Sequence, residues 1–307
     1  MYPVIYDFGV VDLFGFQFRL AIYSFGLMLV AAFYTCYFLL DKDLRELGYD
    51  EKLASDIIFW SALGGILGSK VYHVIENLDQ IMSSNNPMSL IFSGSGLVFL
   101  GGLVGAIIAV TVVLKKNNVP WLTFADQLAP LILLGYAIGR LGCFLVGDDY
   151  GIPSKLPWAM SFPEGLPPTT TSVFAYQFPW IDISDLPAGV IKVHPTQLYE
   201  TFICGVLFYY LWSKRKNIQV QGSLFFQYLV FAGFERFLIE FLRTNEKYAS
   251  DIFSGAQILS LLMIIFGSYF LLYPIYNDKT NIPPTAEKNF LVSTKKIEYI
   301  TSTKTKS

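Results

Sequence analysis

Apolar residues in this chain gather into seven long blocks, near residues 20–40, 54–75, 93–114, 124–146, 196–213, 222–242 and 254–276. Each approaches the ~20 residues that a helix needs to cross a bilayer. The pattern predicts an all-α polytopic membrane protein with about seven transmembrane helices. Most of the connections between blocks are short and basic. Residues 41–53 carry Lys42, Arg45 and Lys52, residues 115–123 carry Lys115 and Lys116, and residues 214–221 carry Lys214, Arg215 and Lys216. From about residue 277 the chain is polar and rich in Lys and Thr, which reads as a flexible tail. With that tail, one side of the membrane holds fourteen basic residues and the other five. Basic residues favour the cytoplasmic side. The N-terminus is therefore expected outside and the C-terminus in the cytoplasm.

Residues 147–195 break the pattern. They contain eight prolines and an aromatic set that includes Tyr150, Trp158, Phe162, Phe174 and Trp180. A segment so long and so punctuated reads as an ordered periplasmic or extracellular head rather than a turn. The expected organisation is a transmembrane domain over 1–276, with its head at 147–195, and a polar cytoplasmic tail over 277–307. Residues 1–18 hold Asp7 and Asp12 but no Lys or Arg. The basic start of a cleavable signal peptide is missing, so the first apolar block is expected to remain as a membrane helix.

Composition agrees with a lipid solvent. Apolar residues make up 53% of the chain and charged residues 15%, with a mean hydropathy of +0.47, whereas soluble domains are about 25% charged. The net charge of -2 gives nucleic acid no foothold. Cys36, Cys143 and Cys204 are irregularly spaced in apolar stretches, and His73 and His194 lie far apart. Neither set forms a disulfide framework or a zinc pattern, so no metal or cofactor is expected.

Candidate chemistry comes from charges at membrane depth, which cost several kcal/mol unless they have a function or a partner. Arg236, Glu240 and Arg243 follow one another at i, i+4 and i+7, on one helix face. That face is either a structural ion-pair stripe or a cationic site whose planar guanidinium forks suit a phosphate. Arg140 sits in Gly139-Arg140-Leu141-Gly142-Cys143-Phe144, followed by Gly147-Asp148-Asp149-Tyr150-Gly151. Asp149 and Glu235 lie near span ends, where snorkelling explains a charge. In His194-Pro195-Thr196-Gln197-Leu198-Tyr199-Glu200, Pro195 suits a first helical turn. Glu200 lies one turn inside that helix, where it needs a partner such as an arginine. His194 is either a capping or interfacial residue or a catalytic one. Buried charges also suit a transporter, but the paired broken helices of two related halves are not evident.

Taken in order, these motifs resemble the prolipoprotein diacylglyceryl transferase family over about residues 20–275. The resemblance is carried by the Arg140 and His194 motifs, by Arg236, Glu240 and Arg243, and by Gly255-Ala256-Gln257-Ile258-Leu259-Ser260. Phe25-Gly26-Leu27-Met28, Gly101-Gly102-Leu103-Val104-Gly105 and Asp126 with Pro130 add to it. The resemblance implies transfer of the diacylglyceryl group of phosphatidylglycerol to the lipobox cysteine of a prolipoprotein, at the outer face of the bacterial cytoplasmic membrane. The products are a thioether and glycerol phosphate. The implied partners are phosphatidylglycerol, the prolipoprotein signal peptide and membrane lipids. The implied catalytic residues are Arg140, Arg236, Glu200 and His194. The implied substrate-binding residues are Arg140, Arg236, Glu240, Arg243, Asp148, Asp126 and Gln197. Three positions depart from the family pattern: Phe25 replaces Tyr, Leu100 replaces the usual candidate base His, and Cys143 replaces Asn. Proton removal then falls to another group, with Glu200 and His194 as candidates, or to solvent. A lipid-binding relative without catalysis is the alternative these departures raise.

Overall fold

The structure is a computed structural model that describes residues 2–13, 16–83, 98–218, 220–246 and 253–274. It divides into two compact units, one of Met1–Cys36 with Ala125–Asp278, the other of Tyr37–Phe124 with Lys279–Ser307. The expected tail, and the first residues of the block expected at 93–114, lie outside the described residues.

The first unit opens with an antiparallel hairpin of β1 (Val4–Leu13) and β2 (Phe16–Tyr23). This corrects the all-helical expectation. Val, Ile, Tyr and Phe dominate the segment and fit a pleated ribbon. Gly9, at φ 84, sits where the register shifts after Asp7, the signature of a glycine bulge. The pairing also claims residues 20–23, so α1 (Ser24–Glu46) starts four residues later than its apolar block. The helix begins where the buried Ser24 donates its N–H to the Pro3 carbonyl at 3.1 Å.

Three further long helices lie wholly or mostly in this unit after the hairpin: α5 (Trp121–Val146), α7 (Thr196–Lys214) and α8 (Ser223–Ile239), followed by α9 (Gly255–Leu272). A short helix, α6 (Thr171–Gln177), lies between α5 and α7. Asp126 of α5 fixes the start of α8. Its carboxylate accepts the N–H groups of Gly222 (2.6 Å), Leu224 (2.9 Å) and Phe225 (2.9 Å), answering three of the orphan donors of a helix N-terminus. At the start of α9, Ser254 and Gln257 exchange the two hydrogen bonds of a capping box.

Residues 147–195 form an ordered body. Tyr150 stacks between Phe162 and Phe174 at centroid distances of 5.7 and 5.9 Å, with Ile191 and Val193 in the same core. The Tyr150 hydroxyl donates to the Pro167 carbonyl at 3.0 Å. Isolated bridges, such as Met160 with Val193 and Thr170 with Val190, tie the segments of this body together.

The second unit holds α2 (Leu53–Glu76), α3 (Leu78–Ser83) and α4 (Phe99–Lys116). Here α2 and α4 touch backbone to backbone. A Cβ on Gly68 would fall 2.9 Å from the Gly105 Cα, and one on Gly64 would fall 2.7 Å from the Gly105 carbonyl oxygen. This is the close approach that paired small-x-x-x-small motifs allow in lipid.

Each of the seven expected blocks contains a helix among the described residues, although the first four residues of the 20–40 block belong to β2. Four helices, Ser24–Glu46, Leu53–Glu76, Trp121–Val146 and Gly255–Leu272, are long and apolar enough to cross a membrane. Half of the apolar window of α5 is buried, against 11–17% in the other three. The most enclosed of these helices is thus the one that carries Arg140.

Candidate active site

Glu200 sets the geometry. It lies in the first turns of α7, has no exposed surface, and meets charged groups from three other segments. Arg140 of α5, itself 7% exposed, pairs through Nε with Glu200 Oε2. The Tyr136 hydroxyl, one turn earlier on α5, donates to the same oxygen at 2.8 Å and receives Arg140 Nε at 3.0 Å. Arg236 of α8 and Arg243 just beyond it each place Nη1 3.5 Å from Glu200 Oε1. Arg236 also pairs with the buried Glu240 at 3.1 Å, and Asn245 donates to the other oxygen of Glu240 at 2.8 Å. Three guanidinium groups thus converge on two buried carboxylates, so neither sign is left alone at depth.

Arg243 reaches this cluster by a different route from the expected helix face. Helix α8 ends at Ile239, one 3-10 turn covers Glu240–Leu242, and Arg243 is extended. The cause lies in the loop after α5. Gly151 pairs with Arg243 as an isolated bridge, and Ile152 donates its N–H to the Leu242 carbonyl at 2.8 Å. A strand contact has pulled the backbone out of the helix while leaving the side chain aimed at Glu200.

That loop also supplies the carboxylate at the mouth of the cluster, which is Asp149. Gly147 closes α5 in the left-handed region at φ 75, and both it and Asp148 donate N–H groups to the Cys143 carbonyl. Asp149 is left-handed as well, at φ 56. The first turn of α7 holds this path: Thr196 donates to the Asp149 carbonyl at 2.9 Å and Gln197 to the Asp148 carbonyl at 2.6 Å. The Asp149 carboxylate then bridges Arg140 Nη1 at 2.6 Å and Arg243 Nη2 at 2.8 Å. Burial works to raise its pKa, but the Arg243 and Arg140 charges outweigh that and hold it below the ordinary carboxylate range. Asp148 shifts the other way, raised by burial and then by the charge of Asp149.

The expected site residues take up different positions. Asp149, which a span-end reading would leave as a snorkelling charge, is in the cluster; Asp148 makes no ion pair with the arginines among the described residues. Gln197 acts on loop backbone. Asp126 does not join the site, because both its oxygens are taken by the start of α8 at the other end of α5. The ring of His194 faces Tyr199, with Nδ1 3.3 Å from the hydroxyl that also accepts Trp158 Nε1 at 2.7 Å. Burial lowers the His194 pKa, which favours the neutral ring. Tyr136 joins the site with a sequence signal of its own: it lies one turn before an arginine in an apolar block, whose guanidinium carbon sits 5.0 Å from its ring centre. Ligand atoms of Cys143, Asp148 and Asp149 approach within 4.8 Å of one another. Asp149 is held by two arginines, and the Cys143 thiol lies beside Arg140.

The remaining question is which proteins carry this arrangement. The profile of the prolipoprotein diacylglyceryl transferase family matches residues 13–273, from β1 to the end of α9. The chain belongs to this family. Among prolipoprotein diacylglyceryl transferases, the phosphatidylglycerol–prolipoprotein diacylglyceryl transferase of Clostridium tetani is 33% identical over 270 residues, covering 88% of this chain and 96% of that protein. The enzyme of the same name from Shewanella oneidensis is 31% identical over 280 residues, covering 89% and 95%. That of Bordetella avium is 34% identical over 257 residues, covering 81% and 88%. The match to the family takes in Arg140, Glu200, Arg236, Glu240 and Arg243 together, and so spans every element that builds the cluster.

Proposed function

We propose that this protein transfers the diacylglyceryl group of phosphatidylglycerol to the lipobox cysteine of prolipoproteins. The observation that carries the reading is the convergence of Arg140, Arg236 and Arg243 on Glu200. In the reaction the acceptor sulfur attacks the terminal glycerol carbon that bears the phosphate. A carbon–sulfur bond forms, the carbon–oxygen bond breaks, and glycerol phosphate leaves with the electron pair. Negative charge grows on the leaving phosphate, where preorganised guanidinium donors stabilise it most. Glu200 and Glu240 hold those donors in place before the lipid arrives.

The acceptor thiol must also lose its proton. Leu100 cannot take it, and the oxygens of Glu200 already serve three arginines and Tyr136. His194 is half-buried and hydrogen-bonded to Tyr199, and burial holds its pKa below the ordinary histidine value, so it is the better acceptor. A base with a pKa below the ordinary histidine value gives a rate that is level above about pH 7. His194→Ala should convert that profile to one that follows the thiolate and rises around pH 8–9. Profiles that coincide for the two proteins would remove His194 from the mechanism.

The setting completes the reading. The protein is a multi-pass protein of the bacterial cytoplasmic membrane with seven spanning helices. Residues 147–195 form an outer head that admits the preprolipoprotein, and the tail from 277 lies in the cytoplasm. The test is genetic: expression in cells depleted of their own transferase should restore lipoprotein modification. A stably inserted protein that leaves prolipoprotein unmodified would point instead to a lipid-binding relative without catalysis.

A further inference from the structure

Asp149 does something the proposed reaction has not used. Glu200 and Glu240 are 0% and 4% exposed and belong to helical segments. The Asp149 side chain is 45% exposed and sits on a loop. Three guanidinium charges against two buried carboxylates leave one positive charge, and Asp149 supplies the third negative one. Asp148 and Glu235 stand nearby but make no ion pair with the three arginines among the described residues.

The position of Asp149 is as telling as its charge. Its two oxygens are divided between Arg140 Nη1 and Arg243 Nη2, as two oxygens of a phosphodiester would be. The backbone reaches this point through two left-handed residues, Gly147 and Asp149. Aspartate tolerates that conformation better than most side chains but still at some cost.

We propose that Asp149 is an internal stand-in for the substrate phosphate: its carboxylate occupies the seat between Arg140 and Arg243, and the phosphodiester of the incoming lipid displaces it. This rests on the reading of the arginines as the headgroup clamp. The exchange is one monoanion for another, so the cluster stays neutral with the site empty or filled. The arginines never face the membrane interior uncompensated, and they are not drawn into alternative pairings between turnovers. Asp149 has room to leave, because its side chain is exposed at the mouth of the cluster, whereas Glu200 is fully buried. The arrangement weakens lipid binding, since every headgroup competes with a tethered carboxylate. It weakens retention of glycerol phosphate in the same way, which favours product release.

The experiment compares the full-length protein with Asp149→Asn, Asp149→Gly and Arg140→Ala. It measures KM for phosphatidylglycerol in mixed micelles and inhibition by free glycerol phosphate. Asn keeps the size of the side chain, and Gly relieves the left-handed backbone, so the two variants make opposite demands on the loop. Both should lower KM and the inhibition constant by a shared factor of about threefold to tenfold, the scale of losing one charged competitor. Unchanged or higher values of both constants in both variants would overturn the proposal and make Asp149 a fixed support of the arginines. Failure of the underlying reading looks different: glycerol phosphate would inhibit Arg140→Ala as well as it inhibits the natural protein, and the stand-in idea would fall with it.

Discussion

Arg140 and Arg236 differ from ordinary buried ion-pair residues in the number of donors they aim at one place. Each meets two carboxylates through separate nitrogens: Arg140 meets Glu200 and Asp149, and Arg236 meets Glu200 and Glu240. Replacing either by Ala should lower turnover by at least ~10²-fold, as loss of a single transition-state donor does. Lys should restore only part of that, because a point charge cannot reproduce the planar fork. Initial rates with a lipobox peptide decide the matter, and full activity in both Ala variants would remove the arginines from the chemistry. At this scale most of the cluster could be read in advance, since a charge inside an apolar block has to be explained. The choice between Asp148 and Asp149 could not. Adjacent residues in a turn point in different directions, and the direction here follows from left-handed backbone at 147 and 149. His194 and Asp126 show the converse. Their chemistry is evident from residue type, but what they touch depends on Tyr199 and on the start of α8.

Helices and strands differed in how openly the chain announced them. Long apolar blocks locate α1, α2, α5 and α9 because lipid demands both length and apolarity. The hairpin of β1 and β2 was hidden: its apolar residues run directly into the first membrane block, and only cross-strand pairing separates the two. The contact between α2 and α4 was half visible. The glycines at 64, 65, 68, 101, 102 and 105 are plain in the chain, but which of them touch is not. A Cβ on Gly65 has only the Gly102 carbonyl for a neighbour, at 3.8 Å, whereas one on Gly68 would sit among the backbone atoms of Gly101 and Gly105. Gly68→Ala should therefore force α2 and α4 apart and lower stability by about 1–3 kcal/mol, the usual cost of overpacking. Gly65→Ala should be close to neutral. Thermal unfolding in detergent separates the two, and equal losses would mean that this interface is not the one described.

For the whole molecule, topology is the property most open to test. The basic loops and tail set the proposed orientation, with residues 147–195 outside and the C-terminus inside. A tag placed after Ser307 should resist external protease in intact spheroplasts and become sensitive once the membrane is opened. Cleavage before opening would reverse the orientation. The way the cluster is assembled also bears on biosynthesis. Arg243 follows its partner Asp149 by 94 residues, and it follows Glu200 by 43. While the chain is being made, Arg140 precedes all of its acidic partners, and an arginine alone at this depth costs about 2.5–3.5 kcal/mol on insertion scales. Asp149 is the first of those partners to be made, Glu200 follows, and the arginines from the α8 region complete the set later. On the proposed reading of the arginines as the headgroup clamp, a nascent chain stopped before Arg236 carries an incomplete phosphate seat, so an unfinished copy would neither hold nor cleave the lipids that surround it. On that reading competence arrives only when the last arginine has been translated and drawn against Gly151, and the enzyme's first turnover has to wait for its own completion.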